Sequence, residues 1–177
     1  MKKTFLRYGL YGGVAMVIFS ILDVTVFSGF DNISEILGYV SIVLSLVFIY
    51  FGLRYYRDKH NGGTLSFGQG IKLGLLITLI PALCFGLADE IYVTWVNPHF
   101  YEQYTQQMLD NLKTTVPPNE YAAKAAGIKK QGEFFAIPGM DFLLMFTTVA
   151  AIGLVITVIS TFALKRNSRP KTGLQSA

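Results

Sequence analysis

The sequence predicts an all-α membrane protein, in which four transmembrane helices form a bundle and a helical extracytoplasmic segment lies between helices 3 and 4. Hydrophobic residues make up 52% of the 177 residues and charged residues only 15%, whereas soluble domains usually carry about 25% charged residues. The apolar residues come in four long runs, and about 20 apolar helical residues cross the hydrocarbon core of a bilayer. Because a helix satisfies its own backbone hydrogen bonds, these runs favour lipid as the surrounding medium.

We expect one integral membrane domain over residues 1–177. The four apolar runs cover approximately 8–30, 36–56, 70–96 and 142–164. The connection at 31–35 is short, which makes the first two spans an antiparallel hairpin. Before the third span, an Asn-Gly-Gly turn signal is followed by Thr64 and Ser66, either of which is suited to cap the incoming helix. Pro81 predicts a kink about halfway along that helix.

The segment 97–141 is too long for a mere connector. Asn97-Pro98 has the residue types of a helix start, and Pro117-Pro118 ends this helix before a second one at about 119–131. Apolar side chains recur at every fourth position of the first helix and form one stripe. This stripe is the candidate partner surface, or else it lies on the membrane. Its residues are Phe100, Tyr104, Met108 and Leu112.

Basic residues predict the orientation of the spans. They cluster before the first span, around the second connection and after the last span, and positive charge is retained on the cytoplasmic side. Both termini, including the tail 165–177, should therefore be cytoplasmic, and 97–141 should lie outside. Because these clusters flank spans, we expect no nucleic-acid partner. The clusters contain Lys2, Lys3, Arg7, Arg54, Arg57, Lys59, Lys72, Lys165, Arg166, Arg169 and Lys171.

A cleaved signal peptide is the alternative interpretation of residues 1–30. Lys2 and Lys3 suit its charged start, but the apolar run is long, contains Asp23 and lacks a small-residue cleavage site. Cleavage would leave three spans in the same orientation, so the remaining predictions do not depend on it.

Small residues predict where the helices pack. Lipid tails give helices no hydrophobic reason to associate, so helices in a bilayer approach closely at small residues. Packing within the bundle and homodimerisation are both compatible with these stripes. The expected packing positions are Gly38, Ser41, Ser45 and Gly52 in span 2, and Gly70, Gly74, Thr78, Ala82 and Gly86 in span 3.

Four acidic residues within or at the ends of the spans form the candidate intramembrane polar site: Asp23, Asp89, Glu90 and Asp141. A charge within the hydrocarbon costs on the order of 3 kcal/mol, so such residues usually face the bundle interior or a water-filled cavity. One interpretation is an outward-facing site that binds a cation or relays protons. In the alternative, Asp23 hydrogen-bonds a neighbouring helix and the other three are interfacial.

Motifs that carry enzymatic chemistry do not occur in the sequence. It contains no zinc pattern, phosphate loop, nucleophile elbow or paired cysteines. His60 and His99 fall on opposite sides of the predicted membrane, and Cys84 is the only cysteine. We therefore expect no catalytic residue, no cofactor and no metal ion.

The chain resembles a known family over roughly residues 5–165. The resemblance rests on glycine and turn positions, and the family is the bacterial membrane family known as domain of unknown function 4199. It implies about four spans and a location in the bacterial inner membrane, and it implies no activity. The matching segments are Leu37-Gly38-Tyr39, Phe51-Gly52, Arg57-Asp58, Asn61-Gly62-Gly63, Ser66-Phe67-Gly68-Gln69, Lys72-Leu73-Gly74 and Asn97-Pro98.

Three functions of different class are compatible with these features. The sequence favours a non-enzymatic accessory or interaction protein, whose partners are the lipid bilayer and a membrane or periplasmic protein or a second copy. A small oligomeric transporter or ion-conducting protein would use Asp23 and the outer acidic residues. A membrane enzyme would have only Asp89, Glu90, His99 and Asp141 as clustered polar groups.

Overall fold

The computed structural model describes residues 1–26 and 34–165, and no strand occurs in these ranges. The all-α prediction is confirmed. A π-helix, Tyr92–Val96, follows the third α-helix directly. The α-helices in chain order are α1 (Lys2–Val26), α2 (Ser34–His60), α3 (Phe67–Ile91), α4 (Phe100–Thr115), α5 (Pro118–Phe135) and α6 (Met140–Lys165).

Four helices of the described chain are long and apolar enough to cross a membrane. They are Lys2–Leu22, Ile36–His60, Phe67–Val96 and Met140–Lys165. Several of these helices extend beyond the predicted apolar runs, because long basic side chains at a helix end reach the interface while their backbone stays helical. Most of the predicted connection at 31–35 lies outside the described residues, as does the predicted tail beyond Lys165.

The chain divides into two compact units, and the boundaries between them fall within α3 and within α6. The first contains Met1–Phe85 and the chain from Thr147 onward, and the second is Gly86–Phe146. The core of the first unit consists of fully buried aliphatic side chains of α2 and α3 together with Val149 and Leu164 of α6. Because lipid tails are as apolar as these side chains, this core stabilises the unit through close van der Waals packing rather than through the hydrophobic effect.

Glycine and threonine bring α3 and α6 together in the first unit. The facing pairs are Gly70–Thr161, Gly74–Thr157 and Thr78–Gly153. A Cβ atom added at these glycines would lie 3.0, 2.9 and 3.0 Å from the threonine Cβ, and closer still to the γ atoms. Residue numbers rise along α3 as they fall along α6, so the helices are antiparallel. The backbones therefore meet along a stripe where only hydrogen fits on one side of each pair.

Only some of the small residues predicted as packing positions in α2 lie in close contacts. Ser45 is buried and donates its hydroxyl to the carbonyl oxygen of Ser41 at 2.9 Å. A Cβ atom at Gly52 would lie 3.1 Å from the Cβ atom of Tyr8 in α1. At Gly38, by contrast, an added Cβ atom would have no atom of the described residues within 4 Å. Gly38 therefore makes no close helix contact in this part of the structure.

Two glycines of α1 allow a close approach to α3. A Cβ atom at Gly9 would lie 2.6 Å from Cδ1 of Ile80, and one at Gly13 would lie 3.1 Å from Sγ of Cys84. Cys84 thus acts as a small apolar side chain at a helix contact, which is typical of a free cysteine.

The turn between α2 and α3 is held by local hydrogen bonds. Gly62 and Gly63 have φ angles of 60° and 81°, a conformation that glycine adopts without strain. Ser66 caps α3 as expected: its hydroxyl accepts from the N–H of Gln69 at 3.3 Å, and its own N–H donates to Oε1 of Gln69 at 3.2 Å. This reciprocal pair is a capping box. The other candidate, Thr64, instead donates its hydroxyl to the carbonyl oxygen of Asn61.

In the second unit, the predicted helix start at Asn97-Pro98 is wrong. The N–H of Asn97 donates to the carbonyl oxygen of Tyr92 at 2.8 Å and closes the π-helix, so α4 begins only at Phe100. The residue before α4, His99, makes no side-chain cap. The following helix, α5, starts with Pro118 in its first turn and is longer than the predicted 119–131.

Candidate functional site

Three acidic side chains meet within the unit Gly86–Phe146. Asp89 and Glu90 come from the last turns of α3, and Asp141 from the first turn of α6. The carboxyl group of Asp89 lies close enough to interact with both of the others. Asp141 is only 2% exposed, whereas Asp89 and Glu90 are half-buried.

Glu90 holds the start of α6. Its two carboxylate oxygens accept hydrogen bonds from the N–H of Gly139 at 3.0 Å and from the N–H of Phe142 at 3.1 Å. The first N–H groups of a helix have no partner within the helix, and the helix dipole favours a negative charge beside them. Gly139 has a φ angle of 85°, which a residue with a side chain rarely adopts. Glu90 is therefore a capping residue supplied by another helix.

Asp141 is linked to α4 through Tyr101. The hydroxyl of Tyr101 donates a hydrogen bond to Oδ1 of Asp141. Burial of the phenol, followed by its hydrogen bond to Asp141, raises the pKa of Tyr101 far above its usual range. Tyr101 is therefore a hydrogen-bond donor at neutral pH and keeps its proton to higher pH than an unperturbed tyrosine. The second oxygen, Oδ2, is buried and has no hydrogen-bond partner among the described residues.

The structure brings together three of the four acidic residues predicted for the polar site. The side chain of the fourth, Asp23, lies outside what the structure describes, although its backbone belongs to α1. Sequence reasoning missed Tyr101, which lies beside Phe100 but outside the stripe of every fourth residue. No sequence signal marks Tyr101 as a partner of Asp141, because the two are 40 positions apart.

An apolar groove of about 380 Å³ lies in the same unit, between α4, α5 and the first turns of α6. Phe100, Tyr104 and Met108 of the predicted stripe line it, while Leu112 does not. The rings of Phe100 and Tyr104 are stacked, with centroids 6.1 Å apart. Other aromatic and methionine side chains in its wall are Tyr101, Phe135 and Met145.

Helices α4 and α5 form a second hairpin, the α4–α5 hairpin, and pack closely against each other behind this groove. A Cβ atom at Gly132 of α5 would overlap the hydroxyl of Thr105 of α4, whereas one at Gly127 would meet nothing within 4 Å among the described residues. Leu109 and Ala125 are the buried residues of α4 and α5. In the described ranges, no group of three His, Cys, Asp or Glu residues is placed to hold a metal ion.

Gly86 marks the point at which α3 meets the start of α6 in this unit. A Cβ atom at Gly86 would lie 2.9 Å from Cδ2 of Phe142 and 3.0 Å from its carbonyl oxygen. The same residue, Phe142, donates its N–H to Glu90 one turn further along α3. The small residue and the capping carboxylate thus fix the first turn of α6 together.

Comparison with known proteins gives one match. No curated protein and no solved structure matches the chain. The family described as protein of unknown function (DUF4199) matches residues 7–166, which is nearly the whole chain and includes every described helix contact of the candidate site. The resemblance inferred from glycine and turn positions is confirmed, and the protein belongs to the DUF4199 family.

Proposed function

We propose that this protein is a non-enzymatic accessory protein of the bacterial inner membrane, which binds an apolar segment of another membrane protein in the groove of its α4–α5 hairpin. The main support for this function is the aromatic and methionine-rich wall of the groove. Aromatic and methionine side chains are enriched at the cores of protein interfaces, and flexible methionines adapt to different partners.

The chemistry of the wall supports an apolar occupant. Tyr104 and Met108 are 50% and 38% exposed within the groove, although both are on a helix that is otherwise largely polar. Leu144 and Met145 of the apolar helix α6 complete the wall. A groove bounded partly by a membrane-crossing helix suits an apolar helix of a membrane protein better than it suits a polar ligand.

The acidic residues support a binding protein over an enzyme. Glu90 is fully engaged by two backbone N–H groups, and Tyr101 occupies one oxygen of Asp141. Of the two other polar candidates, Asp89 is half-buried and interacts with Asp141. His99 forms an exposed pair with Glu102, with side chains that are 72% and 81% exposed. Groups that are used to hold helices together, or that are fully hydrated, are poor candidates for acid–base catalysis.

The proposed orientation places both termini in the cytoplasm. In the first unit, Arg57 at the end of α2 donates to the carbonyl oxygen of Leu164 at the end of α6, at 3.3 Å. The guanidinium of Arg7 in α1 lies 5.9 Å from the ring centroid of Tyr55 in α2. The start of α1 and the ends of α2 and α6 thus share one end of this unit. The described basic residues Arg7 and Arg57 therefore lie at the same end of this unit, which supports a cytoplasmic location for that end under the positive-inside rule.

The proposal is tested by capture and then by reconstitution. The tagged protein is crosslinked gently in its host, purified in mild detergent, and the partner is identified and purified. Binding of that partner is then compared between the wild type, the double variant Tyr104→Ser with Met108→Ser, and the control Gln107→Ser, whose exposed side chain is on α4 outside the groove wall.

We expect the double variant to weaken binding at least tenfold, which corresponds to ~1.4 kcal/mol, while the control binds like the wild type. Equal binding by all three proteins would reject the groove as the docking site. Recovery of the protein alone, as a homo-oligomer, would instead favour a transport function.

A further inference from the structure

One oxygen of the buried carboxyl group of Asp141 lacks a hydrogen-bond partner among the described residues. Only 2% of the residue is exposed. Its Oδ1 atom accepts from Tyr101, but Oδ2 is buried without a hydrogen-bond donor from the described residues. Buried polar atoms in folded proteins are almost always satisfied, so Oδ2 requires a donor or a cation.

The groups around Asp141 show which of them is able to supply a hydrogen bond to Oδ2. On α4 the facing group is Tyr101, whose only hydroxyl hydrogen is already donated to Oδ1. On α3 the facing groups are Asp89 and Glu90, and the two oxygens of Glu90 both accept backbone N–H groups. Asp89 lies between Gly86 and Glu90, which both contact Phe142, the neighbour of Asp141, and its carboxyl group interacts with that of Asp141. No basic side chain is among the groups found to act on Asp89 or Tyr101 in the described structure.

We propose that Asp89 and Asp141 form a proton-binding site in which the two carboxyl groups share one proton at neutral pH. The proton is carried on one carboxyl group and donated to the other, so that Oδ2 of Asp141 gains its missing hydrogen bond. The pair then carries one negative charge in place of two. At alkaline pH the proton leaves to hydroxide, forming water, and two adjacent carboxylates remain without a counter-charge.

A proton fits this site better than a metal ion does. Ca²⁺ and Mg²⁺ take six or more oxygen ligands and Zn²⁺ takes four ligands, and the described residues hold no group of three His, Cys, Asp or Glu side chains placed to bind a metal ion. Glu90 is committed to α6, which leaves only the Asp89–Asp141 pair. Shared protons between paired carboxyl groups follow from their mutual repulsion, since two such groups at close range do not both ionise.

The shared proton would make the packing of α3, α4 and α6 at the start of α6 depend on pH. Asp141 connects α6 to α4 through Tyr101 and to α3 through Asp89, so loss of the proton introduces repulsion where three helical segments meet. This inference concerns the free protein and does not depend on the proposed partner. A negative result for partner binding would therefore not bear on the proton site, which is tested by a separate measurement.

Infrared difference spectroscopy of the full-length protein in lipid vesicles provides that measurement. A protonated carboxyl group absorbs in a region separate from carboxylates and amides. We expect the wild type to show this band at neutral pH and to lose it as the pH is raised. Asp89→Asn and Asp141→Asn should each remove the band, because the amide N–H then donates to the remaining carboxylate without a titrating proton. Glu102→Gln, which changes an exposed carboxyl group on α4, is the matched control and should keep the band.

Two further results separate the proposal from its alternatives. Tyr101→Phe removes a donor that stabilises the carboxylate, so its band should persist to higher pH than in the wild type; a shift to lower pH would contradict the proposal. Adding Na⁺ or K⁺ should leave the band unchanged. A band that disappears on adding either ion, that is missing from the wild type at neutral pH, or that both Asn variants retain in full would overturn the shared proton.

Discussion

Glu90 shows how one side chain fixes the end of a membrane-crossing helix. From α3, its carboxylate accepts the N–H groups of Gly139, just before α6, and of Phe142 in the first turn of α6, which are 49 and 52 positions away in sequence. The sequence indicated that an acidic residue near the outer end of α3 needs a polar partner, since a charge in hydrocarbon is costly. It did not indicate which partner, because contacts over such distances depend on how the helices pack.

Removing this cap should destabilise the protein measurably. Glu90→Ala leaves the N–H groups of Gly139 and Phe142 unpaired and should lower the free energy of unfolding by about 0.5–2 kcal/mol, the usual cost of a lost helix cap. Glu90→Gln keeps an acceptor oxygen and should cost less. Reversible unfolding in mild detergent measures both.

The control for this prediction is Glu102→Ala, which removes an acidic side chain that is 81% exposed. It should leave the free energy of unfolding unchanged. If Glu90→Ala were as stable as this control, the cap would contribute nothing.

Tyr101 provides a prediction about alkaline pH. Its folded-state pKa is raised above the unfolded value, first by burial and then by its hydrogen bond to Asp141, and unperturbed tyrosines ionise near pH ~10. It therefore stabilises the fold below that pH, and this stabilisation is lost as the pH rises further. In the folded protein, ultraviolet titration of tyrosinate should be the same for the wild type and Tyr101→Phe.

A matched variant calibrates this titration. Tyr104→Phe removes a half-exposed tyrosine from the same helix and should reduce the tyrosinate signal. A comparable reduction in Tyr101→Phe would mean that Tyr101 ionises in the folded protein, contrary to its buried hydrogen bond.

At the scale of the helices, the α3–α6 contact combines glycine with threonine. The hydroxyls of Thr157 and Thr161 are buried without an ordinary hydrogen-bond partner in the described structure. Each lies 2.6 Å from the position that a Cβ atom would take on the facing glycine, Gly74 or Gly70. These threonine oxygens therefore pack directly against the glycine backbone of α3, where only a hydrogen atom fits between them.

This contact predicts a strong difference between two glycines of α3. Gly74→Ala places a methyl group against the β-branched, stiff side chain of Thr157, so the helices must separate, at a cost of about 1–3 kcal/mol. Gly68→Ala, at the start of α3, meets no atom within 4 Å among the described residues and should not destabilise. Unfolding of both variants in detergent measures the difference.

A second substitution tests the cause. Thr157→Ala removes the γ atoms that Gly74→Ala would meet, so the double variant should recover part of the lost stability. Strictly additive effects would mean that the two residues do not act on each other.

The sequence could predict the face of α3 but not the helix that covers it. Small residues at every fourth position mark a surface for close packing, whichever neighbour supplies the other side. The start of α4 could not be placed because an Asn-Pro pair has the same appearance whether it begins a helix or follows a π-helix. In this chain, the Asn97 N–H is used to close the preceding turn.

For the whole molecule, hydropathy alone was sufficient to predict the fold class and the number of helices long and apolar enough to span a membrane. Four helices of sufficient length and apolar character are present in the described chain, because lipid leaves few alternatives to a helix. The site was predictable only as a set of acidic residues. Tyr101, the capping role of Glu90 and the groove wall arise from contacts between distant segments, which composition does not encode.

The proposed orientation can be tested by cysteine labelling. In a Cys84→Ala background, Gln107→Cys on α4 should react with a membrane-impermeant maleimide in intact bacterial cells. Lys59→Cys at the end of α2 should react only after the membrane is opened, since basic clusters remain in the cytoplasm. Both positions are exposed to solvent.

The cysteine-free background is the control, and it should remain unlabelled in both conditions. Labelling of Lys59→Cys in intact cells, with Gln107→Cys protected, would reverse the orientation and place the hairpin groove in the cytoplasm.

The π-helix at Tyr92–Val96 has a consequence for how this chain changes length during evolution. A π turn closes its hydrogen bond one residue further back than an α turn, so it is equivalent to one inserted residue. Deleting a residue there converts the π turn into an α turn. A deletion earlier in α3 would instead rotate the preceding stripe by about 100° and move Gly70 and Gly74 away from their threonines. Gains and losses of single residues are therefore expected at the π-helix rather than in the glycine-bearing part of α3.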